Sequence, residues 1–428
     1  MARGRAIAVV GGGVIGLACA LNLRRSGANV TVFDEATGAP AASAGNAGHI
    51  ATEQVEPLAS PAALRSAIRR LSIFGGPLDF RLDDLGTWGP WALRFVRASR
   101  PQRFTSSRTA LSDLLADTLP AWRRLASSIG RPDLLREEGH FVLWEGPGTA
   151  RSRLRSWSAS QTGLASFQAL DADRLGLLNR HLKRRVAGGI RFSGTGQISD
   201  LNQLLDGLRR ALSAAGVQIR QDKATALAVA GGQASLVLEK GGAAHWDRIV
   251  VAAGVGSGGL MQSAGHPAPI IAERGYHIEG ERGDWPDLPP VVFEDRSVIV
   301  TRFGDRLRVA SFVEFGRPNA PPDARKWARL RRHADELGLP LREPISQWMG
   351  ARPTLPDYLP AIGVSARAGN LIYAFGHQHL GLTLAAATGE IVADLAAGRP
   401  PATDLAPFDI ARFDRRPPAK SWPQAIAA

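Results

Sequence analysis

The sequence predicts an α/β chain, α+β overall, on three observations: a buried-strand run opening into a glycine fingerprint, a second glycine-rich strand-to-helix junction near residue 376, and a block of alternating strands before it. Ala6-Ile7-Ala8-Val9-Val10 is small and β-branched, as a strand covered on both faces should be, and it leads into Gly11-Gly12-Gly13-Val14-Ile15-Gly16. In that G-x-G-x-x-G pattern Gly11 makes the turn, Gly13 lets backbone approach a pyrophosphate, and Gly16 lets the helix begun by Val14 and Ile15 pack closely on the strand. Phosphates would sit on that helix N-terminus. Ala20, Leu23 and Gly27 follow at helix-inward and helix-ending spacings, and Val30-Thr31-Val32-Phe33 forms a second strand ending at Asp34. A carboxylate there can take both ribose hydroxyls of an adenosine and would repel a 2′-phosphate; Glu35 lies beside it. The unit is a Rossmann-like nucleotide-binding domain.

At 428 residues the chain has the length of two or three domains. No run of eighteen apolar residues occurs, and the first strand begins six residues in, so neither a membrane span nor a signal peptide is expected and the predicted location is the cytoplasm. The single cysteine, Cys19, falls inside the first helix as a packing residue, which excludes a disulfide framework, a cysteine metal site and a thiol nucleophile. The formal charge of +13 comes from scattered arginines such as Arg69-Arg70, Arg123-Arg124, Arg184-Arg185 and Arg209-Arg210, read as solvated helix faces rather than a nucleic-acid surface. Gathering of such doublets on one face leaves peripheral association with an anionic membrane as the alternative.

After Asp34 comes the small-residue segment Gly38 to Ile50, where backbone must pass close to something flat or charged. Together with the fingerprint, Ser43-x-x-Asn46-Ala47-Gly48 resembles the FAD-dependent D-amino acid oxidase superfamily, most closely the small subunit of bacterial D-amino acid dehydrogenases. The resemblance implies a discontinuous FAD-binding domain (1–52, 186–266 and 346–414), a substrate-binding domain of mixed sheet and helices (53–185 and 267–345), and a loose tail (415–428). Ser43, Asn46, Ala47 and Gly48 would wall the flavin. His49, a candidate catalytic residue, stands where the dehydrogenase pattern would have glutamine.

Helical spacing covers Pro61 to Leu71, Trp91 to Ala98 and Thr105 to Ile129, the last interrupted at Pro120, with Gly86-Thr87-Trp88-Gly89-Pro90-Trp91 expected as a loop and His140 to Trp144 as a strand. An amphipathic helix, Leu201 to Ala215, is capped by Ser199 or Asp200. Two hairpin strands follow around Gly231-Gly232, then Trp246 to Gly254, a parallel strand whose end at Ala252, Ala253 and Gly254 the resemblance lays against the FAD. Arg274 to Phe312 alternates like an open mixed sheet, supported by a charged helix, Asp323 to Leu337.

Gly350-Ala351-Arg352-Pro353 puts a guanidinium in a restricted stretch, since Pro353 pushes Arg352 out of the helical region. Such an arginine suits two-pronged capture of a carboxylate, and the resemblance makes Arg352 the residue that holds the substrate carboxylate. Tyr276 is a candidate second substrate contact, with a core tyrosine as the alternative. Gly376-His377-Gln378-His379-Leu380-Gly381-Leu382-Thr383 repeats the strand, glycine loop, helix arrangement, and the resemblance turns it toward the pyrimidine edge of the flavin, where a helix start favours negative charge. His377 and His379 would either add to that or simply pack the loop.

No Ser-His-Asp or paired-carboxylate apparatus is visible, and hydride loss to a flavin needs none. Where the dimethylglycine dehydrogenase group carries its linking histidine, this chain has Asn46, so FAD should be non-covalent. The implied activity is oxidation of the C–N bond of a D-amino acid, or a cyclic or N-methyl relative, with oxygen or a quinone-type carrier as electron acceptor. A glycine- or sarcosine-type oxidase and a non-catalytic FAD-binding subunit are the alternatives.

Overall fold

The computed structural model describes residues 4–35, 42–67, 70–72 and 75–414. One six-stranded sheet runs in the order Gln218–Gln221, Asn29–Asp34, Ala6–Val10, Arg248–Val251, Leu371–Phe375, Ala361–Val364. All neighbours are parallel except the last pair. Alternation along the strands explains why both faces are apolar. Ile7, Val9, Val30, Val32 and Val250 join one core with the helices Val14–Arg25, Leu201–Ala214 and Gly381–Ala397, while Ala8, Val10, Phe33, Ile249 and Val251 join another beneath the small sheet of Ala224–Ala230, Gln233–Leu238 and Gly242–His245. The stretch Gln378–Ala397 is apolar and long enough to span a bilayer, yet 78% of its most apolar 18 residues are buried, as the central helix of this core.

The second sheet has nine strands. Eight follow the order Arg342–Thr354, Ile271–Glu281, Arg306–Gly316, Val298–Phe303, Val291–Phe293, His140–Trp144, Gly188–Ser193, Ser166–Ala169, and Leu78–Phe80 pairs with Arg306–Gly316 off that path. The helix Ala324–Leu337 covers one face, burying Leu330, Ala334 and Leu337 against Tyr276, Ile278 and Val309.

Several expectations shift. Gly188–Ser193 pairs with His140–Trp144, and Arg342–Thr354 pairs along its length with Ile271–Glu281. The chain therefore leaves the nine-stranded sheet after Ser193 and after Thr354, rather than at 186 and 346. The expected loop at Gly86–Trp91 lies inside the helix Leu85–Ala98. Its stripe of Trp88, Trp91, Ala92 and Phe95 packs on Phe80, Phe315 and Tyr358, and that burial outweighs the roughly 3 kcal/mol cost of Pro90 in a helix. The break expected at Pro120 falls at Asp117, because Pro120 occupies the first turn of Thr118–Ser128, where its missing N–H has no partner to lose. Residues 36–41, part of the small-residue segment, and the tail from 415 lie outside the described residues.

Candidate active site

Each fingerprint glycine has a separate steric reason. Gly11 has φ +113°, and a Cβ there would lie 2.3 Å from the Ala252 carbonyl oxygen, so the ends of two neighbouring parallel strands meet at this turn. A Cβ on Gly16 would fall 1.9 Å from the Gly11 oxygen, which is the close helix-on-strand contact itself. Gly12 faces the Asp34 carboxylate, 2.5 Å from where its Cβ would be. Gly13 is the N-cap of Val14–Arg25 and brings no side-chain cap of its own; the Ser43 hydroxyl takes the Val14 N–H instead. This set, a glycine-lined helix N-terminus with an acid at the end of the next strand, fits a dinucleotide. Glu35 does not join it, because its carboxylate pairs with Lys223 at 3.0 Å on the surface. Ala252, Ala253 and Gly254 follow the strand Arg248–Val251 at the same crevice, and Ala252 N–H donates to the Val10 oxygen at 2.8 Å.

The segment after residue 42 is held by the first helix and by the nine-stranded sheet. Ser43 Oγ accepts from Val14 N–H at 3.1 Å, and Asn46 Oδ1 accepts from Gly48 N–H at 2.8 Å. From the nine-stranded sheet, Arg308 donates to the Ala44 oxygen at 3.2 Å and to the Asn46 oxygen, and His277 Nδ1 lies 3.1 Å from the Gly45 oxygen. The Trp348 indole stacks on His277 with ring centres 5.0 Å apart, and it lies so close to Gly45 that a Cβ would come within 2.2 Å of it. Phe303 likewise crowds Gly48, whose φ is +75°. Ala47 sits half-buried between these contacts. Burial, with the nearby Arg308 charge, pushes His277 down to about 3.

At the second glycine junction, Gly376 (φ +77°) turns the chain against Leu355, and Gln378 (φ +48°) donates to the Tyr358 oxygen. His377 Nε2 bonds Thr388 Oγ1 at 3.0 Å, so its side chain packs the loop. Burial lowers His377 to about 3 and His379 to about 4, so at neutral pH both imidazoles are uncharged. Leu380 and Leu382 point into the core, and the Leu382 oxygen accepts from Trp122 Nε1 at 3.2 Å. Gly381 begins the helix, and Thr383 Oγ1 accepts from Ala51 N–H at 3.0 Å, tying this junction to the residue 42–50 segment.

Arg352 stands beside this junction, since Thr354 bridges to His377. Its guanidinium lies flat over Gly275, where a Cβ would come within 2.1 Å of Nη2. Nη1 donates to Glu273 Oε1 at 3.1 Å and to the Phe312 oxygen at 3.4 Å, whereas Nη2 and Nε have no hydrogen-bond partner among the described residues. Glu273 is buried and its other oxygen accepts from Thr354 Oγ1 at 3.1 Å and Tyr358 Oη at 3.0 Å. Arg352 is therefore fixed by one edge and offers the other. Sequence reasoning missed Glu273, Thr354 and Tyr358, although the register that pairs Glu273 with Arg352 places the carboxylate there.

Tyr276 is not part of this site. It is adjacent to Gly275 on the same strand, so its side chain leaves the opposite face of the sheet, packs on Trp327 and hydrogen-bonds Glu314 at 3.1 Å. There it belongs to a buried network in which Arg274 pairs with Glu314 at 3.0 Å and Lys326 pairs with Glu314 and with Asp79 at 2.6 Å. His49 is also turned away from Arg352's partners. Its imidazole meets Glu53 and His140 in a closed, buried group, where burial lowers His49 to about 4 and raises Glu53 to about 8.

Comparisons with known proteins agree with this architecture. A family model described as DAO, FAD dependent oxidoreductase, matches residues 6–395. A protein of Bradyrhizobium diazoefficiens named D-amino-acid oxidase is 32% identical over 421 residues, covering 96% of this chain and 100% of its own length. A Cereibacter sphaeroides protein named D-amino acid dehydrogenase is 29% identical, with 96% of each chain covered. Among solved structures, glycine oxidase from Geobacillus kaustophilus superposes with a TM-score of 0.71 at 23% identity, covering 95% of this chain and 98% of its own, a likeness of fold.

Proposed function

This chain belongs to the DAO family of FAD-dependent oxidoreductases, and from that premise we propose that it oxidises the C–N bond of D-amino acids. The protein is an FAD-dependent oxidoreductase acting on amino-acid donors, with an electron acceptor as second partner. When bound, FAD supplies the sink for the hydride leaving the carbon that carries the amine. The open glycine turns, the helix start at Val14 and Asp34 would hold its dinucleotide part, and the clamped 42–50 segment and the Gly376 junction would line its ring. Arg352 orients the substrate by its carboxylate through the Nη2 edge, and Glu273 keeps the guanidinium plane from rotating. The neutral His379 beside Tyr358 leaves that guanidinium as the attractive charge for an anionic group.

The D-amino-acid reading rests on the Bradyrhizobium relative, with the free guanidinium edge of Arg352 as its physical support. Anaerobic mixing of the yellow protein with paired D- and L-amino acids tests it: the D-forms should bleach the flavin at least about tenfold faster, a difference of about 1.4 kcal/mol in barrier. Equal rates, or a preference for L-forms or for glycine, would sink it. Following oxygen uptake beside dye reduction in the same samples identifies the acceptor.

Asp34→Ala should weaken FAD by roughly 1–3 kcal/mol, the scale of charge-assisted hydrogen bonds to a ribose, and the variant should purify partly colourless. Acid precipitation of the unmodified protein should release all its flavin into solution, as expected with Asn46 at the position of the linking histidine. Unchanged affinity in the variant would remove Asp34 from the ribose, and yellow colour left in the pellet would contradict non-covalent binding.

A further inference from the structure

His49 and Glu53, four residues apart, meet His140 from a distant part of the chain. His49 is on the two-residue strand His49–Ile50, next to the flavin-side segment, Glu53 is in the turn that follows, and His140 opens the strand His140–Trp144 of the nine-stranded sheet. Their side chains are only 8%, 3% and 2% exposed. Glu53 Oε2 lies 3.8 Å from His49 Nε2, and Glu53 Oε1 lies 3.9 Å from His140 Nε2. Those gaps are too long for direct hydrogen bonds. His49 Nε2 and Glu53 Oε2 are buried without any hydrogen-bond partner among the described residues. An unpaired buried polar atom is costly, and here two of them face each other across a common space.

The size of that space limits what can fill it. One ligand atom from each of the three residues lies within 4.8 Å of the others, so some point is no more than about 2.8 Å (4.8 Å divided by √3) from all three. Zinc bonds to imidazole nitrogen and carboxylate oxygen are about 2.0–2.2 Å, so adjustments of less than about 1 Å would close the set around an ion. His140 already has the outer partner that such a ligand needs: its Nδ1 bonds Thr195 Oγ1 at 2.9 Å, leaving Nε2 aimed inward, and its ring is held flat on Phe192 with centres 4.5 Å apart. Two imidazoles and one carboxylate are a borderline-soft donor set, suited to zinc rather than to calcium or magnesium.

We propose that His49, Glu53 and His140 form a binding site for a single divalent cation of the zinc class, which links the flavin-side segment to the nine-stranded sheet. The site does not touch Arg352, and the proposal stands whether or not D-amino acids are the substrates. Its role is structural: the ion joins ligands from the two sides of the domain crossing at residues 49–53 and satisfies atoms that are otherwise orphaned.

The test uses tag-free holoenzyme, stripped with a chelator that leaves the flavin bound and then exposed to zinc alone. About one zinc per chain should remain after desalting, and zinc at about a hundredfold excess over its dissociation constant should raise the unfolding temperature by about 3 °C. His140→Ala and Glu53→Gln should each retain less than about a tenth of an equivalent. X-ray absorption at the zinc edge of the wild-type protein should show imidazole scattering from two histidines and no sulfur, which keeps the test decisive if a variant fails to fold. Less than about a tenth of an equivalent in the wild type after zinc addition, zinc retained in both folded variants, or an absorption spectrum without two imidazoles would overturn the site and leave a trapped water as its occupant.

Discussion

Replacing Arg352 with alanine should lower kcat/KM for an amino acid by about thirty-fold to several-thousand-fold, because removing one partner of a desolvated, hydrogen-bonded ion pair costs on the order of 2–5 kcal/mol. Flavin content should stay near that of the wild type, since Arg352 bonds Glu273 and the Phe312 carbonyl rather than any cradle residue. Arg352→Lys should recover only part of the loss. An ammonium reaching Glu273 cannot also present a second planar edge over Gly275. The effect should be selective, with an amine lacking the carboxylate affected far less. Steady-state kinetics on both substrate types decide the matter: near-wild-type efficiency in Arg352→Ala, or an equal loss on both types, would show that the guanidinium serves the fold alone.

Acidification from about pH 7 to about pH 5.5 should remove about 4 kcal/mol of folding stability from the holoenzyme. His277 and His377 are held down to about 3 and His379 to about 4, all by burial first. Unfolded, each titrates near 6.5, so below that pH the unfolded chain binds protons that the folded chain refuses. Stability is therefore full above about 6.5 and falls as pH drops toward the folded values, by up to about 1.4 kcal/mol per pH unit per histidine. His333, also lowered to about 4, acts in the same direction. Glu53, raised to about 8, has the opposite sign: it favours the folded state as pH falls from 8 toward its unfolded value of about 4.5, and largely offsets His49. Denaturant midpoints measured with excess FAD at the two pH values test this, and an unchanged or higher midpoint at the lower pH would count against neutral buried imidazoles.

How much of this could be read from the chain follows from how local each feature is. Ala6 to Asp34 is legible because strand, turn, helix and strand are contiguous and each glycine has a backbone reason confined to that unit. Arg352 is legible through Pro353 and its neighbours. Glu273 is not, because it lies 79 residues away and becomes a partner only through strand register. Tyr276 was assignable to either face until the pairing of Ile271–Glu281 was known, and a register irregularity between Arg274 and Tyr276 breaks the simple alternation against the strand Arg306–Gly316. The helix through Pro90 was hidden because its aromatic stripe is satisfied by Phe80, Phe315 and Tyr358, which local sequence does not mention.

The clamp on residues 44–48 ties adaptation of the enzyme to its cofactor. Arg308, Phe303, His277 and Trp348 all belong to the sheet that would shape the substrate pocket, yet each presses on backbone that would line the flavin. Substitutions at these four positions that change side-chain preference should also move that wall, and substrate range and flavin affinity are then expected to change together. Laboratory evolution toward a new amino acid should then enrich compensating changes on the opposite side of the wall, near Ser43 and Thr383, and variants that altered 303, 308 or 348 with FAD affinity untouched would show the two traits to be separable.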